Sequence, residues 1–292
     1  MVFLFGSSIL TLNSSRYASS SSFIIDLCCF HSIIYSSSGT CVYCSTSSIS
    51  TRISRTLFIN NKNTKNSVGT LYLVCQNSLL ENVGFTNCSN YQCSAFSISA
   101  SNYSSMTCIS CIECEAEHYY NSYGYNKNIV DSANFSNNQA LCCAAFRLGY
   151  KSKCSFAYIS STSSITGATV EISDAVLSYT IVIQNSFGSQ YGLLRVSYTN
   201  SALEYLSIFY NYGSNYITAH VSTFRVTNCI SDQPQSAFTS CYDFAGCLFS
   251  QTTFATHKWN NIECVRIRDE IATRSSYSKG RLFLSFAILL NY

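Results

Sequence analysis

The chain reads as all-β, a single-stranded right-handed parallel β-helix with about 24–25 residues per coil, and three recurring columns of residues predict it. Apolar–variable–apolar triplets recur at 71–73, 96–98, 146–148, 170–172, 194–196 and 219–221, with steps on the last residue of 25, 50, 24, 24 and 25. A second column holds Phe85, Ile109, Phe135, Ile159, Ile183 and Ile208, at steps of 24, 26, 24, 24 and 25. A third, mostly asparagine, holds Asn87, Cys111, Asn137, Ser161, Asn185 and Asn211.

Alternation over three to five residues is the period of a strand with one side buried, and Ile, Val, Phe, Tyr and Leu suit strands. Two or three such strands per repeat, with no 3.6-residue period between them, predict coils that pair with the next coil through backbone hydrogen bonds. Right-handedness follows from the strong bias of parallel crossovers. Asparagine tolerates the left-handed backbone of a sharp corner, and stacked amides hydrogen-bond from coil to coil, so Asn87, Asn137, Asn185 and Asn211 are expected to form a structural ladder. Leucine-rich repeats also carry an asparagine column, but their Leu-x-x-Leu-x-Leu spacing is missing here.

Composition supports the same class. Hydrophobic residues make up 47% of 292, enough for a core despite the Ser and Asn richness. The single proline fits a stack of paired strands that cannot spare backbone donors. Charged residues are 11% with a net +3, which argues against the clustered basic surface that nucleic acid requires. Seventeen cysteines point to an oxidising compartment, with at least one thiol left over. Asn-x-Ser sequons at Asn13, Asn87, Asn102 and Asn134 mark candidate glycosylation sites.

Taken in order, residues 1–52 are expected to form irregular N-terminal coils and a cap, opening on a signal-like apolar stretch at 1–12. That stretch carries neither a basic n-region nor a small-residue cleavage site. Residues 53–267 are expected to form the β-helix, with a solvated loop at 60–67 and a poorly fitting coil at 106–125. The register is expected to break after Val221, around Pro234. Residues 268–292 are assigned to a C-terminal cap or a truncated membrane-proximal segment, since the apolar run 282–290 is too short to span a bilayer.

The chemistry lies in the variable position of the first column: Tyr72, Ser97, Arg147, Glu171, Arg195 and His220. With apolar neighbours inward, these side chains point outward and stack from coil to coil. Arg147, Glu171, Arg195 and His220 are therefore the candidate binding residues. They read either as a surface ion ladder worth about 0–1 kcal/mol per pair or as a patch for an acidic ligand such as a glycan carboxylate. The Cys108-x2-Cys111-x2-Cys114 and Cys41-x2-Cys44 spacings fit disulfides or buried stacked thiols better than zinc, because strand-like Ile and Glu stand where a metal knuckle would turn. Glu113, Glu115 and Glu117 share one face and read as solvated. At coil spacing the acids offer only Asp243 and Asp269, so the carboxylate pair of a glycosidase is not supported. Phosphate loops, nucleophile elbows and H-E-x-x-H motifs are missing as well. No catalytic residue, metal or cofactor is assigned.

The columns resemble the right-handed parallel β-helices of the pectin-lyase-like class. The texture of Phe85-Thr-Asn-Cys-Ser and Asn134-Phe-Ser-Asn-Asn is similar to the Ser/Asn/Cys-rich β-helix surface proteins predicted in parabasalid protists. The resemblance implies a non-catalytic extracellular or cell-surface repeat protein with an adhesion-type surface, whose partner is a glycan or a host or cell-surface protein. It implies membrane association only through a missing or truncated C-terminal anchor. The alternatives are a polysaccharide lyase or glycoside hydrolase of that class, and a structural or decayed copy without a ligand. The aspartate pairs and His/Arg motifs of pectate lyases and polygalacturonases do not occur in this sequence.

Overall fold

The computed structural model describes residues 2–4, 10–12, 16–17, 22–35, 41–63, 69–117, 120–125, 127–188, 190–197, 201–219, 224–238 and 243–252. They form a parallel β-solenoid. Every strand pairing is parallel, and each strand is bonded to its counterpart one coil away. The longest strands, Leu71–Thr86 and Cys93–Ile112, run through a coil side and its bend almost without interruption. The only helical turn among the described residues is the short 3-10 turn Gln235–Ala237, which directly follows Pro234. The stack reaches back into the N-terminal segment, where Ser22–Asp26 pairs in register with 50–54.

Alternation decides what lies inside. In Leu71–Leu73, Phe96–Ile98 and Phe146–Leu148 the outer members of each triplet are buried and the middle one is half-buried. The inward column of the next side runs Phe30, Phe58, Phe85, Cys111, Phe135, Ile159, Val182 and Ile208. Phe30, Phe58 and Phe85 stack at centroid distances of 4.9 and 4.8 Å, all fully buried. Such a ring adds packing at every coil step, and stacked pairs contribute about 0.5–1.5 kcal/mol beyond their burial.

This register corrects the sequence reading at five places. Cys111, not Ile109, follows Phe85, and Val182, not Ile183, follows Ile159. The triplet after 194–196 is Ile217–Ala219 rather than 219–221. The coil at 120–125 supplies Tyr123 between Ser97 and Arg147. The register also does not break at Val226, which pairs with Leu203 as Arg225–Thr227 joins Ala202–Glu204.

Corners explain the asparagines and many of the cysteines. At one corner Asn60, Asn87, Glu113, Asn137, Ser161, Gln184 and Tyr210 all have φ between 50° and 57°, the left-handed region that a tight bend requires. The next position is buried and holds Asn61, Cys88, Cys114, Asn138, Thr162, Asn185 and Asn211. Asn87 and Asn137 therefore sit on the outer corner, whereas Asn185 and Asn211 lie one residue on, inside. The internal amides follow one pattern. The Cys114, Thr162 and Asn185 N–H groups each donate to the Oδ1 of the asparagine one coil later, at 2.9 Å in each case. The Nδ2 groups of Asn138, Asn185 and Asn211 donate back to the Cys111, Ile159 and Val182 carbonyls.

Cysteine takes over the same task. The Cys88 and Cys114 thiols donate to the Phe58 and Phe85 carbonyls, while the N–H groups of Asn61 and Cys88 donate to the two sulfurs. At the other corner the Leu206 N–H donates to the Cys229 sulfur and the Cys229 N–H to that of Cys247. Sulfur is a weak donor and acceptor, but it fills the site and leaves no backbone group orphaned. Among the described residues the cysteines carry thiols rather than disulfides, and all but Cys142 and Cys247 are buried.

Candidate functional site

Of the predicted column, Arg147, Glu171 and Arg195 stand in register, with Glu171 buried between two half-buried arginines. Arg147 pairs in register with Glu171, and Glu171 with Arg195, so the three side chains leave the same sheet face one coil apart. Arg147 Nε lies 3.4 Å from Glu171 Oε1, and Arg195 Nη1 lies 3.6 Å from Oε2. The Glu171 side chain is 7% exposed and those of the arginines 30% and 26%, so one sunken carboxylate is clamped by two half-covered cations. Arg195 also lies over the Tyr191 ring, 4.2 Å from its centroid. The Cys142 thiol beside the triad is pushed up by burial first and by the Glu171 charge second, against the pull of both arginines.

Along the same column, towards the N-terminal coils, Tyr43 and Tyr72 stack at 5.2 Å and 17°. In the other direction Thr218 follows Arg195, in place of the expected His220, which lies outside the described residues. The reason for the slip is the strand period itself. Ile217, Ala219 and Val221 all fit one face, so alternation cannot tell a strand from the same strand moved by two residues.

A second polar column escaped the sequence search. Asp26, Ser54, Glu81, Thr107 and Asp131 stand in register on successive coils of another side. The first four line an open cleft of about 510 Å³, with Arg52, Arg55 and Asn82 at its rim. Asp26 accepts from Ser54 Oγ at 2.6 Å, from Arg55 Nε at 3.0 Å and from Arg55 Nη2. Glu81 accepts from Arg52 Nη2 at 3.0 Å. Burial raises the Asp26 pKa, but the bonds from Arg55 and Ser54 outweigh it and hold the carboxyl below its usual range. A search at 24–26 residues misses this column because its carboxylates occupy alternate coils and the coils before Glu81 are longer than that period. Asp26 and Glu81 are thus ion-paired, and the lowered Asp26 carboxyl does not suit a general acid, which needs a raised pKa.

The remaining candidates scatter. Asn87 and Asn102 are exposed, whereas Asn134 is buried with Ser136 Oγ donating to its Oδ1 at 2.6 Å, a position that cannot carry a glycan in the folded coil. Asn13 lies outside the described residues. Glu113, Glu115 and Glu117 are exposed, and Cys108, Cys111 and Cys114 are buried. Among the described residues no three His, Cys, Asp or Glu side chains converge as a metal-binding group. No described helix is long and apolar enough to cross a membrane.

No family model, curated protein or solved structure matches the chain.

Proposed function

We propose that this protein is a non-catalytic β-helix repeat protein that works outside the cell or on its surface and presents its outward ladders to an acidic glycan or a host or cell-surface protein. The Arg147–Glu171–Arg195 column carries the reading. Two arginines against one carboxylate leave a net positive charge on a rigid, half-covered strip, and a guanidinium is the side chain suited to paired recognition of a carboxylate. The stacked Tyr43 and Tyr72 extend the column with apolar plates that suit sugar rings. The exposed sequons at Asn87 and Asn102 support secretion, and the coil period supports placement in the pectin-lyase-like class, with a texture similar to parabasalid surface proteins.

Titration calorimetry with a galacturonate hexamer tests the reading. Binding should weaken at least tenfold in Arg195→Glu and should fall with added salt. Binding unchanged by that reversal removes the column from the function. Asp26, Glu81 and Asp131 on one column favour a polysaccharide lyase or hydrolase as the second reading, and sustained cleavage of the hexamer would establish it in place of the first.

A further inference from the structure

Three consecutive coils carry aromatic residues at one left-handed corner of the coil. Phe156, Tyr179 and Tyr205 occupy the same corner, at φ of 56°, 47° and 55°. Other coils place Leu27, Arg55, Asn82, Cys108, Ser132 and Asn228 at this corner, also with positive φ, so three stacked rings in succession are the exception. Asparagine enters the left-handed region at modest cost, whereas bulky side chains are rare there, and such strain gathers at functional sites. The rings are not buried to compensate. Phe156 is 38% and Tyr179 39% exposed, and the three stack at 5.2 and 4.7 Å with interplanar angles of 13° and 3°.

The stack ends at Phe156. One coil further stands Ser132, small and buried, so the outer face of the Phe156 ring has no aromatic successor. Beside that face, one residue earlier on each coil, stand the exposed Asp131 and its register partner Ser155, whose hydroxyl lies 3.1 Å from that of Ser178. An apolar ring face flanked by a carboxylate and a hydroxyl matches a pyranose, which offers a C–H face and adjacent hydroxyl donors. Asp131 can accept from two such hydroxyls and repels a uronate.

We propose that the open face of Phe156, with Asp131 and Ser155, is a binding site for a neutral glycan chain, which continues along the ring edges of Tyr179 and Tyr205. The site is separate from the arginine column and stands whether or not that column binds uronates.

Saturation-transfer NMR and calorimetry with cellohexaose and maltohexaose test it. At least one neutral hexaose should bind and receive saturation from aromatic ring protons. Phe156→Asn keeps a residue that the corner accepts, so its melting temperature should hold or rise while affinity drops at least tenfold. Arg195→Glu should leave neutral binding intact. Neither hexaose binding at millimolar concentration, or affinity unchanged in a folded Phe156→Asn, would overturn the proposal. Binding confined to the galacturonate hexamer and abolished by Arg195→Glu would overturn it too, while leaving the arginine column standing.

Discussion

A single corner residue shows how position outweighs identity in this fold. Asn87 and Asn185 are the same side chain, but Asn87 stands on the exposed outer bend and Asn185 is fully buried, bonded to Thr162 above and Ile159 behind. Asn185→Ala leaves the buried Thr162 N–H and hydroxyl without their acceptor and the Ile159 carbonyl without this donor, each costing about 1–3 kcal/mol, so stability should fall by at least about 2 kcal/mol. Asn87→Gly should change it by less than about 0.5 kcal/mol, because glycine takes positive φ freely. Urea denaturation of the two variants measures the difference. The buried thiols make a second residue-scale prediction. Burial pushes Cys28, Cys29 and Cys75 up to about 11, from an ordinary value of 9.0. Below pH 9 both folded and unfolded chains keep these protons, and their contribution is fully present. Between pH 9 and 11 the unfolded chain loses them first, so stability falls as pH rises. The urea midpoint should therefore drop from pH 8.5 to 10.5, and it should drop less when Cys75 is replaced by Ala.

At the scale of the strand, the sequence revealed the period but not the phase. Apolar alternation placed Leu71, Phe96, Phe146, Val170 and Leu194 on one column, where they are. It failed where two frames fit equally: Val83 and Phe85 are both inward, so Ile109 looked as good a successor as Cys111, and 181–183 is apolar throughout. The Arg147–Glu171–Arg195 ladder was legible because its coils are regular. The Asp26–Ser54–Glu81 cleft was not, because the early coils are longer; buried stacked thiols were legible at Cys108, Cys111 and Cys114, but not their bonding in place of asparagine, which a cysteine does not resemble. The corrected phase is testable. Val182 is the buried, doubly paired centre of Ile181–Ile183. Val182→Pro should destabilise by at least about 2 kcal/mol, from lost backbone bonding and packing. A thermal melt matching the parent's would place Val182 outside the paired core.

At the scale of the molecule, the outward columns are a by-product of the internal ones. Coils stack in register because amides, thiols and rings repeat inside, and that repetition aligns Arg147 with Glu171 and Phe156 with Tyr179 outside. Each coil contacts its neighbours alone, so damage should stay local before it spreads. Residue-resolved amide hydrogen exchange tests this most directly. In the parent the Cys114, Thr162 and Asn185 amides, which donate to the asparagines one coil on, should all exchange slowly. Asn211→Ala should selectively speed exchange of the Asn185 amide, 26 residues away in sequence, and leave Cys114 slow. Fast exchange of all three in the parent, or an Asn185 amide indifferent to Asn211, would contradict the ladder and the register built on it.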